Sequence, residues 1–375
     1  MKCVRFSLTL LLFGACAGIA AGGEPRPKPA PETLKTRNIL LVTTDGLRWQ
    51  EVFAGADSAL LNRENGGAAL PSQKKSEFGG ETPESRRKLL MPFLWRTIAK
   101  DGQIFGNATA GSEVKVTNGK NFSYPGYNEI LTGSADPRID SNSKIPNQNV
   151  TVLEWLHRQD DFRDRIAVFG SWDVFPFIIN NERSRIPVMA GWKPFVDAGL
   201  SKEEILIGRL MTETPRVWPE CGYDAFTFHA AHEYVKRQKP RVIYVALGET
   251  DEFAHEGRYD HYLHAARNAD QHLKELWDTV QAMPLYQGTT TMIVTTDHGR
   301  GNAPVEWRSH GAGIDGSDKI WIAVIGPDTP PLGERKTTEP LTQSQVAATI
   351  AALLGLDYRS FARNAAPPIA SVIAH

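Results

Sequence analysis

Polar side chains that can bind a metal ion follow three apolar runs of the sequence. Asp45 follows "NILLVTT", Asp251 follows "RVIYVALGET", and Asp297 and His298 follow "TTTMIVTT". His255 lies four residues after Asp251, so on a helix or in a tight turn the two side chains can face one point. Carboxylate oxygens and imidazole nitrogens are typical ligands of zinc and similar divalent ions.

A sixth candidate ligand is His310, in the "SHG" that follows "TTDHGRG". Single pairs are weak evidence, because Asp and His at such spacings also form surface pairs and capped turns. The set of three Asp and three His is stronger, since its composition suits two closely spaced ions that clamp the attacking and leaving oxygens of an in-line displacement. The remaining histidines fall in helical patterns and are expected to be core or surface residues: His157, His229, His232, His261, His264 and His272.

The elements that position these ligands are predicted from the apolar periodicity. The three runs read as buried strands that end in polar turns, and two more buried strands are expected near residues 164 and 319. Amphipathic segments between them predict helices. Alternating buried strands and helices favour an α/β fold with a mostly parallel central sheet covered on both faces. In such sheets ligands bind beyond the carboxyl ends of the strands, where Asp45, Asp251, Asp297 and His298 stand.

The composition is that of an ordinary globular protein. The chain has 375 residues, a net charge of -1, 41% hydrophobic residues and 23% charged residues. The near-neutral charge argues against binding to a nucleic-acid duplex, which usually requires a basic excess. The predicted organisation is a signal peptide at 1–22, a Pro-rich leader at 23–36, and a single catalytic domain at 37–375 with possible insertions around 62–84 and 186–219.

The N-terminal segment predicts export. Lys2 and Arg5 precede an apolar run that ends in small residues, which is typical of a secretory signal peptide. Two cysteines lie in this segment, so the mature chain keeps only Cys221 and cannot form an internal disulfide. We expect a periplasmic or extracellular protein without a transmembrane helix in its mature part; a lipoprotein acylated at Cys16 is the alternative.

The order of the motifs resembles that of the alkaline phosphatase superfamily, which includes type I phosphodiesterases, nucleotide pyrophosphatases and sulfatases. The similarity runs from about residue 38 to 311 through "TTDGLRW", "NFSYPGYNEILTG", "GETDEFAHEG", "TTDHGRG" and "SHG". It implies the three-layer sandwich of that superfamily and two divalent ions, expected to be zinc, with manganese or calcium as alternatives. It further implies that Asp251, His255 and His310 bind one ion, and that Asp45, Asp297 and His298 bind the other.

The resemblance also implies a nucleophile that contacts both ions at the start of a helix. In "NFSYPGY" this position is Ser123, and coordination would activate its hydroxyl, while a helix N-terminus favours an incoming phosphate. The alternative is that Ser123 only caps a helix that starts near Pro125, with Thr117 as the nucleophile. Asn142 follows Ser123 at a spacing similar to that of the oxygen-binding Asn of the phosphodiesterases.

The substrate is expected to be a small-molecule or headgroup phosphate ester. Sulfatases carry Arg four residues after the modified Cys or Ser, whereas this chain has Tyr127 there. Monoester phosphatases clamp the dianion with Arg or Lys, for which Arg183 and Arg185 are the candidates. Both phosphatase and phosphodiesterase activity remain open.

Three other functions are compatible with these motifs. A phosphonate hydrolase or phosphotransferase would use the same residues. A mutase is disfavoured, because phosphoglycerate mutases of this superfamily carry a second inserted domain. A non-catalytic secreted protein, stabilised by metal and binding a glycan near Trp192 and Trp218, is the alternative from a different class.

Overall fold

The computed structural model describes residues 34–374. The strands of this part of the chain are β1 (Asn38–Thr44), β2 (Gln103–Phe105), β3 (Val114–Lys115), β4 (Ile166–Gly170), β5 (Val188–Ala190), β6 (Val242–Leu247), β7 (Thr290–Thr295), β8 (Ile322–Ile325), β9 (Gly333–Glu334) and β10 (Leu341–Thr342). Eight of them form one sheet in the order β5-β4-β6-β1-β7-β8-β2-β9, and β3 pairs with β10. The five strands from β5 to β7 are mutually parallel, whereas β8 is antiparallel to both of its neighbours.

Helices surround this sheet. Within the described residues the α-helices are α1 (Trp49–Ala54), α2 (Pro71–Phe78), α3 (Pro83–Leu90), α4 (Ala99–Asp101), α5 (Ser123–Thr132), α6 (Val152–His157), α7 (Phe175–Ile178), α8 (Asn181–Ser184), α9 (Lys202–Glu213), α10 (Asp224–Gln238), α11 (Glu249–His255), α12 (Tyr259–Ala282) and α13 (Gln345–Leu353). A π-helical turn spans Leu94–Ile98. Four short 3-10 turns lie at Ala108–Ala110, Glu306–Arg308, Tyr358–Ser360 and Ala370–Val372.

Strand β1 shows why the sheet is covered on both faces. All seven of its residues are buried. Leu40 and Val42 point into one hydrophobic core, whereas Ile39 and Leu41 point into the other, because successive side chains of a strand face opposite sides. Two cores separated by one sheet make a three-layer sandwich, and this confirms the predicted mostly parallel α/β fold.

Some elements differ from the sequence prediction. One of the amphipathic segments that predict helices, "ESRRKLLMPFLWRTIAKDG", is interrupted, because α3 ends before Met91 and the chain continues as a π-helical turn after Pro92. Proline cannot continue a helix without losing a backbone hydrogen bond. The region 186–219 contributes β5 to the sheet edge as well as the separate helix α9. The predicted signal peptide lies outside the described residues, within which no helix is long and apolar enough to cross a membrane.

A buried carboxylate links the longest helix to the π-helical turn. Asp270 of α12 is 1% exposed and accepts hydrogen bonds of 2.8 Å from the backbone N–H groups of Phe93 and Leu94. Burial raises the pKa of Asp270 to about 7, although both N–H groups favour the ionised form. Between about pH 4 and pH 7, the carboxyl group of Asp270 is therefore protonated in the folded protein but ionised in the unfolded chain, where its pKa is about 4.

This shift predicts a pH-dependent difference between wild type and Asp270→Asn. Because the folded-state pKa is raised, the contribution of Asp270 to stability is complete below about pH 4 and is lost as the pH rises to about 7. The free energy of unfolding of wild type should fall relative to that of the variant, by on the order of a few kcal/mol over this range. Urea unfolding at several pH values measures it, and parallel pH profiles for the two proteins would contradict the assignment.

Candidate metal centre

Three neighbouring parallel strands bring the predicted ligands to one edge of the sheet. Strands β6, β1 and β7 are adjacent, and their carboxyl ends meet at this edge. Asp45 follows β1, Asp297 and His298 follow β7, and Asp251 and His255 lie on α11, which begins directly after β6. The arrangement arises because parallel strands with buried faces must all turn into polar segments on the same side.

Asp45, Asp297 and His298 converge at the deeper end of the cluster, where each is at most 5% exposed. His298 Nε2 lies 3.3 Å from Asp45 Oδ1 and 3.4 Å from Asp297 Oδ2. These three atoms are buried and have no hydrogen-bond partner. Unpartnered buried polar atoms are rare and costly, so a cation between them would remove a clear energetic penalty.

Asp251, His255 and His310 form the shallower end of the cluster. Asp251 Oδ2 lies 3.2 Å from His255 Nε2, and the two Nε2 atoms of His255 and His310 are 3.0 Å apart. Asp251 Oδ1 lies 3.7 Å from His310 Nε2 and also 3.7 Å from His298 Nε2. Asp251 therefore stands between the two groups of ligands.

The backbone orients two of the imidazoles for coordination. His298 Nδ1 lies 2.9 Å from the carbonyl oxygen of Gly299, and His310 Nδ1 lies 3.1 Å from that of Asn121. Carbonyl oxygens only accept, so each Nδ1 carries the proton and each Nε2 presents its lone pair to the cluster. This type of outer contact fixes the tautomer of metal-binding histidines in proteins.

The electrostatics of the cluster favour a bound cation. Burial, followed by repulsion from Asp251, raises the pKa of Asp45 well above its ordinary value. Burial and the charge of Asp45 do the same to the pKa of Asp297. Burial and the neighbouring His298 lower the pKa of His310 to about 2, so its imidazole is uncharged. Adjacent carboxylates and an uncharged imidazole are groups that a bound divalent ion would stabilise.

The donor set fits divalent ions such as zinc. Two donors ~2.1 Å from a tetrahedral ion lie ~3.4 Å apart, and the distances between the facing donor atoms are 3.0 to 3.7 Å. Oxygen and nitrogen donors without thiolates also suit manganese. The residues present are therefore compatible with two ions.

Ser123 is the first residue of α5 and opens onto the same site. Together with Asp45, Asp251 and His255 it lines a cavity of about 200 Å³. Helix α5 packs closely against the turn that follows β7, where a side chain on Gly126 would lie 2.3 Å from the carbonyl oxygen of Asp297. The cap of α5 is Phe122, so Ser123 does not serve as the capping residue that the alternative interpretation expected.

Asn142 lies at the start of the same helix. Its Oδ1 accepts a hydrogen bond of 3.0 Å from the backbone N–H of Tyr124, and its side chain lines the cavity beside Ser123. This contact fixes the amide so that its NH₂ group remains available as a donor. Asn142 can therefore bind an oxygen of a group that reacts at Ser123.

Other candidates from the sequence lie away from the cavity. Thr117 Oγ1 donates a hydrogen bond of 2.7 Å to the buried Glu129 and is absent from the cavity lining. Arg183 forms a 2.7 Å ion pair with Glu154. Arg185 is exposed after α8 and does not line the cavity either. Thr117, Arg183 and Arg185 are therefore not placed to contact a phosphate bound at Ser123.

Two residues of the cluster were not found by sequence reasoning. Tyr127 donates a hydrogen bond of 2.8 Å from its hydroxyl group to Asp45 Oδ2. Arg300, which is 1% exposed, forms an ion pair with Asp251 and donates to the carbonyl oxygen of Arg308 at 2.7 Å. Both residues lie within the quoted motifs, but their partners are distant in sequence.

Tyr127→Phe is expected to weaken metal binding. The substitution removes the donor that orients the Asp45 carboxylate and leaves the ring packing unchanged. Loss of an outer-shell partner typically reduces metal affinity ~10–100-fold. Competition with a chromophoric zinc chelator measures the effect, and an unchanged affinity would show that the hydroxyl does not orient Asp45.

A comparison with family models finds one match. Residues 201–358 match the family model described as "Metalloenzyme superfamily", a range that contains five of the six predicted ligands. A sequence search of curated proteins finds no match.

Several solved structures share the fold. Wild-type alkaline phosphatase PafA has a TM-score of 0.56 and 11% identity over 92% of this chain and 100% of its own. The lipoteichoic acid synthase LtaP from Listeria monocytogenes has a TM-score of 0.55 and 11% identity over 86% and 73%. A putative sulfatase from Bacteroides thetaiotaomicron has a TM-score of 0.54 and 12% identity over 86% and 71%. These structures show that the chain has the fold of alkaline phosphatase PafA, and the family model shows that residues 201–358 are similar to the metalloenzyme superfamily.

Proposed function

We propose that the protein is an exported, metal-dependent hydrolase of phosphoric esters in which Ser123 is the nucleophile. The observation that carries the proposal is the position of Ser123. It is the first residue of α5 and lines one cavity with Asp45, Asp251 and His255. A hydroxyl group at a helix N-terminus, next to a cluster of predicted metal ligands, is suited to attack a bound phosphate.

The chain's own groups support a two-step reaction. Ser123 Oγ gives up its proton to solvent and forms a bond to phosphorus as the bond to the leaving alcohol breaks. The phosphorylated Ser123 keeps the second ester group of a diester, and water then releases the monoester and restores the Ser123 hydroxyl. When bound, the ions would lower the pKa of the Ser123 hydroxyl and offset charge on the phosphate oxygens. Asn142 would donate to a nonbridging oxygen through its NH₂ group.

The charges around the cavity favour a diester over a monoester. The described residues that line it include neither Lys nor Arg. Two basic side chains contact residues that line it, and both are already paired: Arg300 forms an ion pair with Asp251, and Lys144, which is 4.0 Å from Glu220, pairs with Asp173 at 2.8 Å. A monoester dianion is usually clamped by such groups, whereas a diester carries one negative charge and needs less compensation. We therefore propose phosphodiesters as the preferred substrates.

A sulfatase is the second candidate, because sulfatases are among the structural neighbours. At the position where their modification motif has Arg, this chain has Tyr127, whose hydroxyl group is bonded to Asp45. Tyr127 thus has a different role here, and conversion of Ser123 to formylglycine lacks its signal. This observation favours phosphate over sulfate esters.

Hydrolysis of three p-nitrophenyl esters tests the proposal. With zinc-loaded protein we expect kcat/KM for bis-p-nitrophenyl phosphate to exceed that for p-nitrophenyl phosphate by about 10²-fold, the usual effect of a missing charge-stabilising group. No turnover of p-nitrophenyl sulfate is expected. A preference for the monoester would contradict the diester proposal, and turnover of the sulfate alone would indicate a sulfatase. Inactivity towards all three with zinc, manganese and calcium would favour a metal-stabilised binding protein.

Export is proposed from the N-terminal segment. Lys2 and Arg5 precede an apolar run and small residues, the composition of a signal peptide. Intact mass after expression in a bacterial host with a periplasm would show a mature chain that begins near Gly22. An uncleaved chain recovered from the cytoplasm would contradict this part of the proposal.

A further inference from the structure

A second group of metal-binding side chains lies outside the catalytic cavity. His229 and His232 of α10 and Glu275 of α12 each offer one ligand atom, and the three atoms lie within 4.8 Å of one another. From the sequence, both histidines were expected to be ordinary core or surface residues. The two helices flank β6 and α11 along the chain, so the cluster links elements on either side of the segment that carries Asp251.

His232 is the anchor of this cluster, because it is only 8% exposed. Its Nε2 lies 2.8 Å from Thr279 Oγ1, a hydrogen bond in which the imidazole can donate. Its Nδ1 then carries a lone pair and lies 3.7 Å from Glu275 Oε1. That distance is too long for a hydrogen bond, but it is close to the ~3.4 Å between two donors of one tetrahedral ion.

The surroundings of His232 leave its Nδ1 without a protein partner. Glu233 Oε1 is 3.8 Å away and forms a 2.7 Å ion pair with Lys236 instead. Burial lowers the pKa of His232, so the imidazole is uncharged at neutral pH. A nine-tenths buried imidazole with an open lone pair that faces a second histidine and a carboxylate is the environment of a metal ligand.

We propose that His229, His232 and Glu275 bind a third divalent ion of the zinc class. The ion would cross-link α10 to α12, and Thr279 would fix the coordinating tautomer of His232 as outer-shell partners do. His229 and Glu275 are exposed, so water can complete the coordination. The site is structural, because it lies apart from the residues that line the Ser123 cavity. Zinc bound there stabilises the folded protein, since binding to the folded state alone shifts the unfolding equilibrium.

Zinc content tests this site without reference to activity. Wild type, His229→Gln and Glu275→Gln are saturated with Zn²⁺, passed through a desalting column and analysed by elemental mass spectrometry. Each variant is expected to contain one equivalent less than wild type and to keep its rate of ester hydrolysis. The result is a difference between proteins, so it stands even if the proposed catalytic function fails.

Glu233→Gln is the matched control, because Glu233 is on the same helix and about as close to His232 as Glu275 is. It should retain the full zinc content. Equal zinc content in wild type and both ligand variants would overturn the proposal. A loss of zinc in Glu233→Gln as large as that in the ligand variants would also overturn it, because such a loss would reflect the change in surface charge alone. As a second measurement, wild type should gain more in melting temperature from added Zn²⁺ than either ligand variant does. Circular dichroism verifies that each variant is folded.

Discussion

Ser123→Ala should reduce kcat for bis-p-nitrophenyl phosphate at least ~10³-fold, as expected for removal of a catalytic nucleophile. The described cavity lining contains no other hydroxyl group. Cys221 also lines it, but the residue is 1% exposed, and burial raises the pKa of its thiol well above the ordinary value, so no thiolate can substitute. The loss should appear in kcat at saturating substrate, because Asn142 and the six predicted metal ligands are unchanged.

The same variant should remain folded and should still bind zinc. Ser123 makes no capping hydrogen bond, and Ala favours helices, so the free energy of unfolding should change by less than about 1 kcal/mol. Ser123→Thr is the matched control, because it retains a hydroxyl group and should keep more activity than Ser123→Ala. Undiminished turnover in Ser123→Ala, with no p-nitrophenyl phosphoryl adduct of Ser123 detectable in wild type by rapid quench and mass spectrometry, would mean that water attacks the ester directly.

The position of the predicted ligands at the carboxyl ends of β6, β1 and β7 could be predicted, because it depends on patterns of neighbouring residues in the sequence. Strand β1 is buried on both faces, so it reads as a continuous apolar run that stops at Asp45 and Gly46. Gly46 is also required by the backbone: its φ is +59°, and a side chain there would lie 2.8 Å from Asp251 Oδ1. The polar turns that follow adjacent parallel strands lie at one edge of the sheet, whatever the rest of the fold is. The placement of Asp45, Asp251, Asp297 and His298 at this edge therefore followed from the pattern alone, whereas the division of the ligands into two sets rested on the family resemblance.

The contacts that tune the site could not be predicted, because their partners are far apart in sequence. Tyr127 and Asp45 are separated by 82 positions, and no local pattern shows that the phenol reaches the carboxylate. Arg300 and Asp251 are 49 positions apart. Both pairings depend on how helices and loops pack on the sheet, which is determined by the tertiary fold and not by periodicity. The short edge strands escaped prediction for the same reason, since two or three residues carry no period.

The position of Asp251 between the two groups of ligands predicts an unequal effect of two substitutions. Its Oδ1 lies 3.7 Å from His298 Nε2 and 3.7 Å from His310 Nε2, so one carboxylate serves both ends of the cluster. Asp251→Asn should lose both catalytic ions, because the amide is neutral and keeps only one oxygen. His310→Gln should lose only the ion at the shallower end. Activity should be lost in both variants, since the displacement needs a positive ion at the attacking oxygen and another at the leaving oxygen.

Zinc stoichiometry separates the two outcomes. The measurement is made in the His229→Gln background, so that the ion proposed between α10 and α12 does not enter the count. About two equivalents are expected in the background, one after His310→Gln and none after Asp251→Asn. Arg300 is buried against Asp251, and Asn retains an oxygen that can accept its hydrogen bond, so the variant should still fold. If Asp251→Asn kept one ion, Asp251 would belong to a single site, and the deeper ion would depend on Asp45, Asp297 and His298 alone.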